Sequence, residues 1–169
     1  MVWPVSMPNV TRRASGHNQG AASLDGTSKA IIEQLQQDGR RPYAAIGKAV
    51  GLSEAAVRQR VQRLIESGAM QIVAVTNPLE LGFARQAMIG IRVEGALDEV
   101  SDRLADMTEI DYVVVTAGSF DLLAEVVCES DEELLEILSN RIRTLPGVRS
   151  TETFVYLRLR KQTYSWGVR

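Results

Sequence analysis

Three side chains that can read DNA bases recur on one side of a predicted helix over residues 54–66. Arg58, Gln59 and Gln62 lie on the side opposite the apolar residues of this segment. Arginine can donate two hydrogen bonds to guanine, and glutamine can form a similar bidentate pair with adenine. Their types and spacing therefore indicate a helix that presents a polar face to the major groove.

The flanks of the same helix carry groups suited to the DNA backbone. Arg60 and Arg63 are predicted to lie toward the edges of the polar face, where contacts to phosphate are more frequent than contacts to bases. Glu54 falls in the first turn, where a carboxylate complements the positive end of the helix dipole. The complete predicted DNA-binding set is Ser53, Glu54, Ala55, Arg58, Gln59, Arg60, Gln62 and Arg63.

The surrounding residues predict a helix-turn-helix that would position this face. A first helix is predicted from about Tyr43 to Val50, and Gly51 suits the left-handed conformation that ends a helix. Ser53 is placed to cap the second helix with its hydroxyl. The expected buried stripe of the second helix is Val57, Val61, Leu64 and Ile65. A helix pair with a solvated polar face would show the same pattern, so the motif alone leaves both interpretations open.

A third helix and the distribution of charge favour DNA binding. Residues 24–38 have helical periodicity, and the residues expected to face inward are Leu24, Ala30, Ile31 and Leu35. Residues 1–77 carry nine Lys and Arg against five Asp and Glu, a net charge of +4. Residues 78–169 carry ten against sixteen, a net charge of −6. The total of −2 therefore conceals a basic N-terminal half.

The composition argues against several other classes of protein. The chain has one cysteine, Cys128, and one histidine, His17, so it lacks the Cys/His clusters of metal sites and of many hydrolases. We therefore predict no catalytic residues, no metal and no enzymatic activity. No apolar run is long enough to span a bilayer, and a lone cysteine fits a reducing compartment. We expect a cytoplasmic protein with no membrane partner.

The C-terminal half predicts a β-α-β-β-α-β unit of the ferredoxin-like type. Strands are predicted over residues 86–94, 110–117, 121–128 and 148–161, and helices over residues 97–107 and 131–145. The last strand is apolar or aromatic on both sides, since Phe154 and Tyr156 alternate with Val155 and Leu157. A sheet with one wet face should alternate more cleanly, so we expect a second copy of the chain to cover it, with a chain tail as the alternative.

Residues 24–161 resemble the Lrp/AsnC (feast/famine) transcriptional regulators. The matching pieces are Leu24-Asp25, Gln37-Asp38-Gly39-Arg40, Val50-Gly51-Leu52-Ser53, Arg60-Val61-Gln62-Arg63-Leu64, Asn77-Pro78 and Leu81-Gly82. One departure is Ile65, where the family usually has an acidic residue; Glu66 follows one position later. The resemblance implies dimers formed through the sheets, assembly of dimers into octamers, and an effector, usually an amino acid, bound where dimers meet.

The same resemblance directs attention to the turn between the second and third strands of the C-terminal half. The candidate effector-binding residues are Thr116, Ala117, Gly118, Ser119, Phe120 and Asp121, which match the family's Gly-x-x-Asp turn. Gly118 would allow a backbone conformation closed to other residues, and successive N–H groups could hold a carboxylate. Asp121 could hold an ammonium group. A plain hairpin turn, with Asp121 serving turn chemistry, is the alternative.

The sequence as a whole predicts an α+β protein in five segments. These are a disordered tail over 1–23, a three-helix winged helix-turn-helix over 24–70, a hinge over 71–85 with a short strand at Ile72–Val75, a ferredoxin-like effector-binding and oligomerisation domain over 86–161, and a tail over 162–169. We predict a sequence-specific regulator that binds double-stranded DNA and needs no cofactor. An amino-acid effector would tune its assembly or DNA affinity. An architectural, nucleoid-type DNA-binding protein without an effector is the alternative.

Overall fold

The computed structural model describes residues 24–163 and 167–168. The predicted N-terminal tail, and residues 164–166 and 169 of the predicted C-terminal tail, lie outside these described residues. The described chain divides into two compact units: the first contains residues 24–74 and the described residues after Lys161, and the second runs from Val75 to Lys161. None of the helices in the described part is long and apolar enough to cross a membrane.

The first unit is a bundle of three helices with local signals at their ends. The helices are α1 (Gly26–Gln37), α2 (Tyr43–Val50) and α3 (Glu54–Glu66). Asp25 caps α1 by accepting a 2.7 Å hydrogen bond from the Ser28 N–H, and Ser53 caps α3 by accepting from the Ala56 N–H. Gly51 ends α2 with a φ of 74°, as its position predicts. The predicted helix-turn-helix is therefore confirmed.

The core of this unit corrects the predicted inward face in several places. Its buried apolar cluster is Ile31, Leu35, Ile46, Val57 and Val61. Leu24 and Ala30 are only half-buried, whereas Ile32 is buried. The prediction that Ile65 joins the buried stripe is wrong, because its side chain is 43% exposed. The bundle closes around Val57, Val61 and Leu64, which leaves the next position in solvent.

The short strand predicted in the hinge at Ile72–Val75 is not present in the described structure. These residues form no regular element, and Ile72, Val73 and Val75 are exposed. A strand needs a neighbour with which to exchange backbone hydrogen bonds, and this segment pairs with no other described strand. A short 3₁₀ helix, Pro78–Leu81, follows it.

The second unit has the predicted β-α-β-β-α-β order. Its elements are β1 (Arg85–Val93), α4 (Leu97–Ala105), β2 (Ile110–Val115), β3 (Leu122–Cys128), α5 (Asp131–Glu136) and β4 (Val148–Val155). The four strands form one antiparallel sheet in the order β2-β3-β1-β4. Alternate residues of β3 are buried under the helices, and these are Leu122, Ala124, Val126 and Cys128. The helices thus cover one face of the sheet.

Two predicted elements of this unit end differently in the structure. Strand β4 stops at Val155 rather than at Lys161, because its neighbour β1 begins at Arg85 and the last pair in register is Ala87 with Val155. The helix predicted over 131–145 becomes π-helical over Ile137–Ile142. The wider π turn suits the five-residue spacing of the buried residues Ile137 and Ile142.

The face of the sheet opposite the helices carries large exposed side chains. Met88 lies in register with Phe154, and Tyr112 lies in register with Glu125. Tyr112 is 51% exposed and Phe154 is 44% exposed. We call this surface, formed by residues 88, 112, 123, 125 and 154, the open face.

Candidate DNA-binding and effector sites

The outward side of α3 collects most of the predicted base-reading residues on one surface. Ala55, Ala56, Arg58, Gln59 and Gln62 line a shallow depression there. The helix is held with this side outward because Val57, Val61 and Leu64 are buried on the other side. The outward side of α3 therefore presents these side chains together on one exposed surface.

Two of the outward side chains are held in place by neighbours. The Arg58 guanidinium donates a 2.8 Å hydrogen bond to Glu54, one turn earlier, and its Cζ lies 5.2 Å from the ring centroid of Tyr43. The Gln62 amide donates to Glu66 at 2.8 Å. Each bond engages one donor, so the Arg58 guanidinium and the Gln62 amide keep their other N–H groups available.

Arg60 does not lie free at the edge of the polar face. Its Nη1 donates to Asp25 at 2.7 Å and to the Ser28 hydroxyl at 3.2 Å, which joins α3 to the beginning of α1. The Ser28 N–H, then the Ser28 hydroxyl and the Arg60 guanidinium, lower the pKa of Asp25 to about 2. The Arg63 side chain, in contrast, is exposed and forms no hydrogen bond or ion pair with any described residue.

The sequence pattern missed the role of Gly47 in positioning α3. A Cβ built on Gly47 would lie 2.5 Å from the backbone carbonyl oxygen of Leu52, in the turn between α2 and α3. The Leu52 N–H also donates to the Gly47 carbonyl at 2.9 Å, so the turn folds back directly onto α2. A signal was present: Gly47 lies inside a helix of eight residues, where glycine costs about 1 kcal/mol relative to alanine.

The predicted effector turn is tied to β1 at several points. The Asp121 N–H donates to the Ile91 carbonyl at 3.0 Å, and the Asp121 carboxylate accepts from the Val93 N–H at 2.8 Å. The Val93 contact falls at the irregularity where the β1–β4 register shifts. The Thr116 hydroxyl donates to the Phe120 carbonyl at 2.5 Å, which closes the turn on itself. Asp121 therefore fixes the position of the turn.

The prediction that Gly118 adopts a backbone conformation closed to other residues is wrong. Its φ is not in the left-handed region, and a Cβ on it would meet nothing within 4 Å. The glycine that the site requires is Gly90 on β1, where a Cβ would lie 2.7 Å from the Phe120 ring. Phe154 packs edge-on against the same ring, with 6.1 Å between the ring centroids. A glycine is needed at position 90 because the Phe120 ring, and not the backbone of the turn, occupies the space where a Cβ would lie.

The turn leaves a run of backbone donors available. No described residue accepts a hydrogen bond from the N–H groups of residues 117–120. Ala117, Gly118 and Ser119 are exposed, and Phe120 is partly buried. Successive free N–H groups can hold an anion such as a carboxylate. Within the described residues, no group of three His, Cys, Asp or Glu side chains could hold a metal ion.

Comparison with known proteins covers both units. Residues 24–65 match the family model of the AsnC-type helix-turn-helix domain, and residues 83–169 match an AsnC-type model described as a C-terminal dimeric alpha+beta barrel domain. The chain is 37% identical over 142 residues to the HTH-type transcriptional regulator FL11 of Pyrococcus furiosus, covering 83% of this chain and 93% of that protein. It is 33% identical over 144 residues to the HTH-type transcriptional regulator PF1231 of the same organism, covering 84% and 97%.

A solved structure agrees with these matches. The leucine response regulatory protein LrpA of Mycobacterium tuberculosis superposes with a TM-score of 0.76 at 28% sequence identity. The superposition covers 85% of this chain and 99% of that one.

Proposed function

Since the chain belongs to the Lrp/AsnC family of transcriptional regulators, we propose that it binds particular operator sequences through α3 and responds to an amino acid. DNA binding by the helix-turn-helix is the family's property. The proposal adds sequence preference, the residues that produce it, and an effector that changes assembly or DNA affinity. We also propose that the protein acts in the cytoplasm. The observation that carries the proposal is the single outward surface on α3 that holds Arg58, Gln59 and Gln62.

Base reading is assigned to that surface. Arg58, Gln59 and Gln62 would contact base edges, with Ser53, Glu54 and Ala55 at the start of the helix close to the groove. Arg63 is the phosphate contact that the structure best supports, because its side chain is exposed and makes no bond to a described residue. Arg60 would reach phosphate only by leaving Asp25.

Fluorescence anisotropy with DNA selected from a random pool tests this assignment. Arg58→Ala should weaken binding by about 1–3 kcal/mol and relax the preference at one base position. Arg63→Ala should weaken binding to all sequences and reduce the slope of the salt dependence by about one charge. Arg103→Ala, an exposed arginine on α4, is the matched control and should change neither quantity.

The same experiment distinguishes the architectural alternative. A protein that binds unrelated DNA sequences equally well, with a steep salt dependence, would be an architectural DNA-binding protein and not a selective regulator. An unchanged base preference in Arg58→Ala would remove that residue from the reading surface.

The open face is proposed as the surface on which two copies meet. Its exposed rings, Tyr112 and Phe154, would be covered by the same residues of a second chain in a symmetric dimer. The family model for this half is described as dimeric. Phe154→Glu should convert the dimer to a monomer in sedimentation velocity. Leu135→Glu, which changes an exposed residue of α5 on the helix side, should leave it a dimer.

The turn over residues 116–121 is proposed as the effector site, placed where dimers associate into octamers. Its support is the run of free N–H groups over residues 117–120 on a turn that is fixed to β1. A Neisseria meningitidis regulator of the same fold was solved as an L-Met complex, and at 22% identity that likeness concerns the fold alone. A thermal-shift screen of the twenty amino acids, repeated while oligomer size is measured, tests both ligand and assembly. No shift with any amino acid would refute the effector part.

A further inference from the structure

We propose that Arg92 is the residue that binds the effector's carboxylate, beside the free N–H groups of residues 117–120. Arg92 lies near the end of β1, on the same side of the sheet as Met88 of the open face, and not in the turn itself, so the turn motif does not include it. The proposal rests on the proposed function, since it names the group that would recognise an amino acid at the same site.

The Arg92 side chain is anchored by its stem and leaves its terminal donors available. Its Nε donates to the Ser119 carbonyl at 2.8 Å, and its Cζ lies 5.3 Å from the centroid of the Phe120 ring. Neither terminal nitrogen donates to any described residue, and the residue is exposed. A guanidinium has five N–H donors in a rigid fork that matches a carboxylate, and only one of them is used here.

The aromatic support for this guanidinium is rigid. The Phe120 ring rests on Gly90, which leaves no room for a Cβ, and packs against Phe154 at a 77° interplanar angle. A ring confined on two sides holds the cation above it in one place. Arg92 is therefore preorganised, which reduces the entropy lost when a ligand binds.

The fork and the free backbone donors converge on the same segment. The carbonyl that anchors Arg92 belongs to Ser119, in the middle of the run of unpaired N–H groups over residues 117–120. The Phe120 N–H belongs to the peptide whose carbonyl faces Arg92, so it points away from the guanidinium. A carboxylate bound at Arg92 would accept charge-assisted bonds from the guanidinium, and the unpaired N–H groups of residues 117–119 lie in the same turn. This arrangement needs no left-handed glycine, which agrees with the ordinary conformation of Gly118.

Neighbouring carboxylates do not neutralise Arg92. Asp121 uses one oxygen to accept from the Val93 N–H and forms no ion pair with Arg92. On the adjacent strand β4, Glu152 lies in register with Gly90 and forms no salt bridge with Arg92 either. The positive charge of Arg92 thus has no counterion among the described residues, and an incoming carboxylate would supply one.

Isothermal titration with matched ligand pairs tests the assignment. Each L-amino acid that shifts the melting temperature of the wild-type protein is titrated beside its carboxamide, which keeps the side chain and removes the acid charge. The amide should bind at least tenfold more weakly. Arg92→Gln should raise the Kd for the amino acid by roughly 10- to 100-fold. Arg92→Lys, which keeps the charge and loses the fork, should fall between wild type and Arg92→Gln.

The control and the outcomes separate this proposal from the one on which it rests. Arg143→Gln changes another exposed arginine whose Nε also bonds to a neighbour, the Thr151 hydroxyl, and its Kd should equal that of the wild type. Equal affinity of Arg92→Gln and wild type would overturn the role of Arg92 while leaving the effector site standing. Equal binding of acid and amide by the wild-type protein would overturn it without any variant. If no amino acid binds the wild type, the effector site itself fails, and this proposal fails with it.

Discussion

Replacing Gly47 by alanine should destabilise the helix-turn-helix, although alanine is the better helix former. The added Cβ would lie 2.5 Å from the Leu52 carbonyl oxygen, 0.9 Å inside the 3.4 Å at which ordinary contact begins. The obstacle is backbone, so no change of rotamer relieves it. Relief requires the turn that carries Leu52 to move away from α2, and α3 begins directly after that turn.

Two opposing effects set the magnitude. Alanine in place of glycine within a helix stabilises by up to about 1 kcal/mol. Overpacking of a tightly packed site costs about 1–3 kcal/mol, and a contact with backbone belongs near the upper end of that range. The net loss should therefore be about 1–2 kcal/mol, which lowers the ratio of folded to unfolded protein roughly 5- to 30-fold. DNA affinity should fall as well, because the outward face of α3 is displaced.

Urea unfolding followed by far-ultraviolet circular dichroism, together with anisotropy on selected DNA, measures both effects. Gly26→Ala is the matched control: it makes the same change in the first turn of α1, where a Cβ meets nothing within 4 Å. It should be as stable as wild type or slightly more stable. If Gly47→Ala proved as stable as Gly26→Ala and bound DNA equally well, the close approach between α2 and the turn would not constrain the reading helix.

Three further outcomes follow from individual contacts. Gly90→Ala should lower the free energy of unfolding, measured in urea, by about 1–3 kcal/mol, because the added Cβ would meet the Phe120 ring. The same change should cost much less in a Phe120→Ala background. Equal costs in both backgrounds would contradict a steric conflict between position 90 and this ring. Because the pKa of Asp25 is lowered from 3.8 to about 2, its carboxylate stabilises the folded state above pH 3.8 and this contribution disappears as the pH falls toward 2. Asp25→Asn, which keeps a capping side chain but loses the charge facing Arg60, should show a flatter dependence of the urea midpoint on pH over that window, and an identical dependence would refute the link. Burial, and after it a hydrogen bond to the Glu125 carboxylate on β3, raises the pKa of Tyr156 to about 12. In a spectrophotometric pH titration, Tyr156→Phe should therefore lose a tyrosine that ionises at this high pH. If a tyrosine of the variant still ionised there, the raised pKa would belong to another tyrosine.

The local parts of both units could be predicted because the signals for them are local. Ser53 and Gly51 lie within four residues of the N–H or carbonyl groups with which they interact, so their sequence positions suffice to place the end of α2 and the beginning of α3. The order of strands and helices along the second unit was predictable from the periodicity of its apolar residues. The length of β4 was not, because a strand continues only as far as its neighbour does, and β1 begins at Arg85.

The candidate sites, too, were predictable where they depend on local periodicity and not where they depend on contacts between distant residues. The outward position of Arg58, Gln59 and Gln62 follows from helical periodicity, which a sequence displays directly. The bond from Arg60 to Asp25 does not, since the partners are 35 residues apart and meet only when α3 packs beside α1.

The sequence by itself determined which residues form α3, which side of it is polar, and which turn joins β2 to β3. Only the tertiary structure decided that Gly47 and Gly90 must be glycines, and that the guanidinium of Arg92 stands beside the turn with its terminal donors free. The reason is physical. Periodicity, capping and turn preference depend on atoms a few residues apart, whereas steric crowding and unpaired charge depend on neighbours that the packing of distant segments brings together.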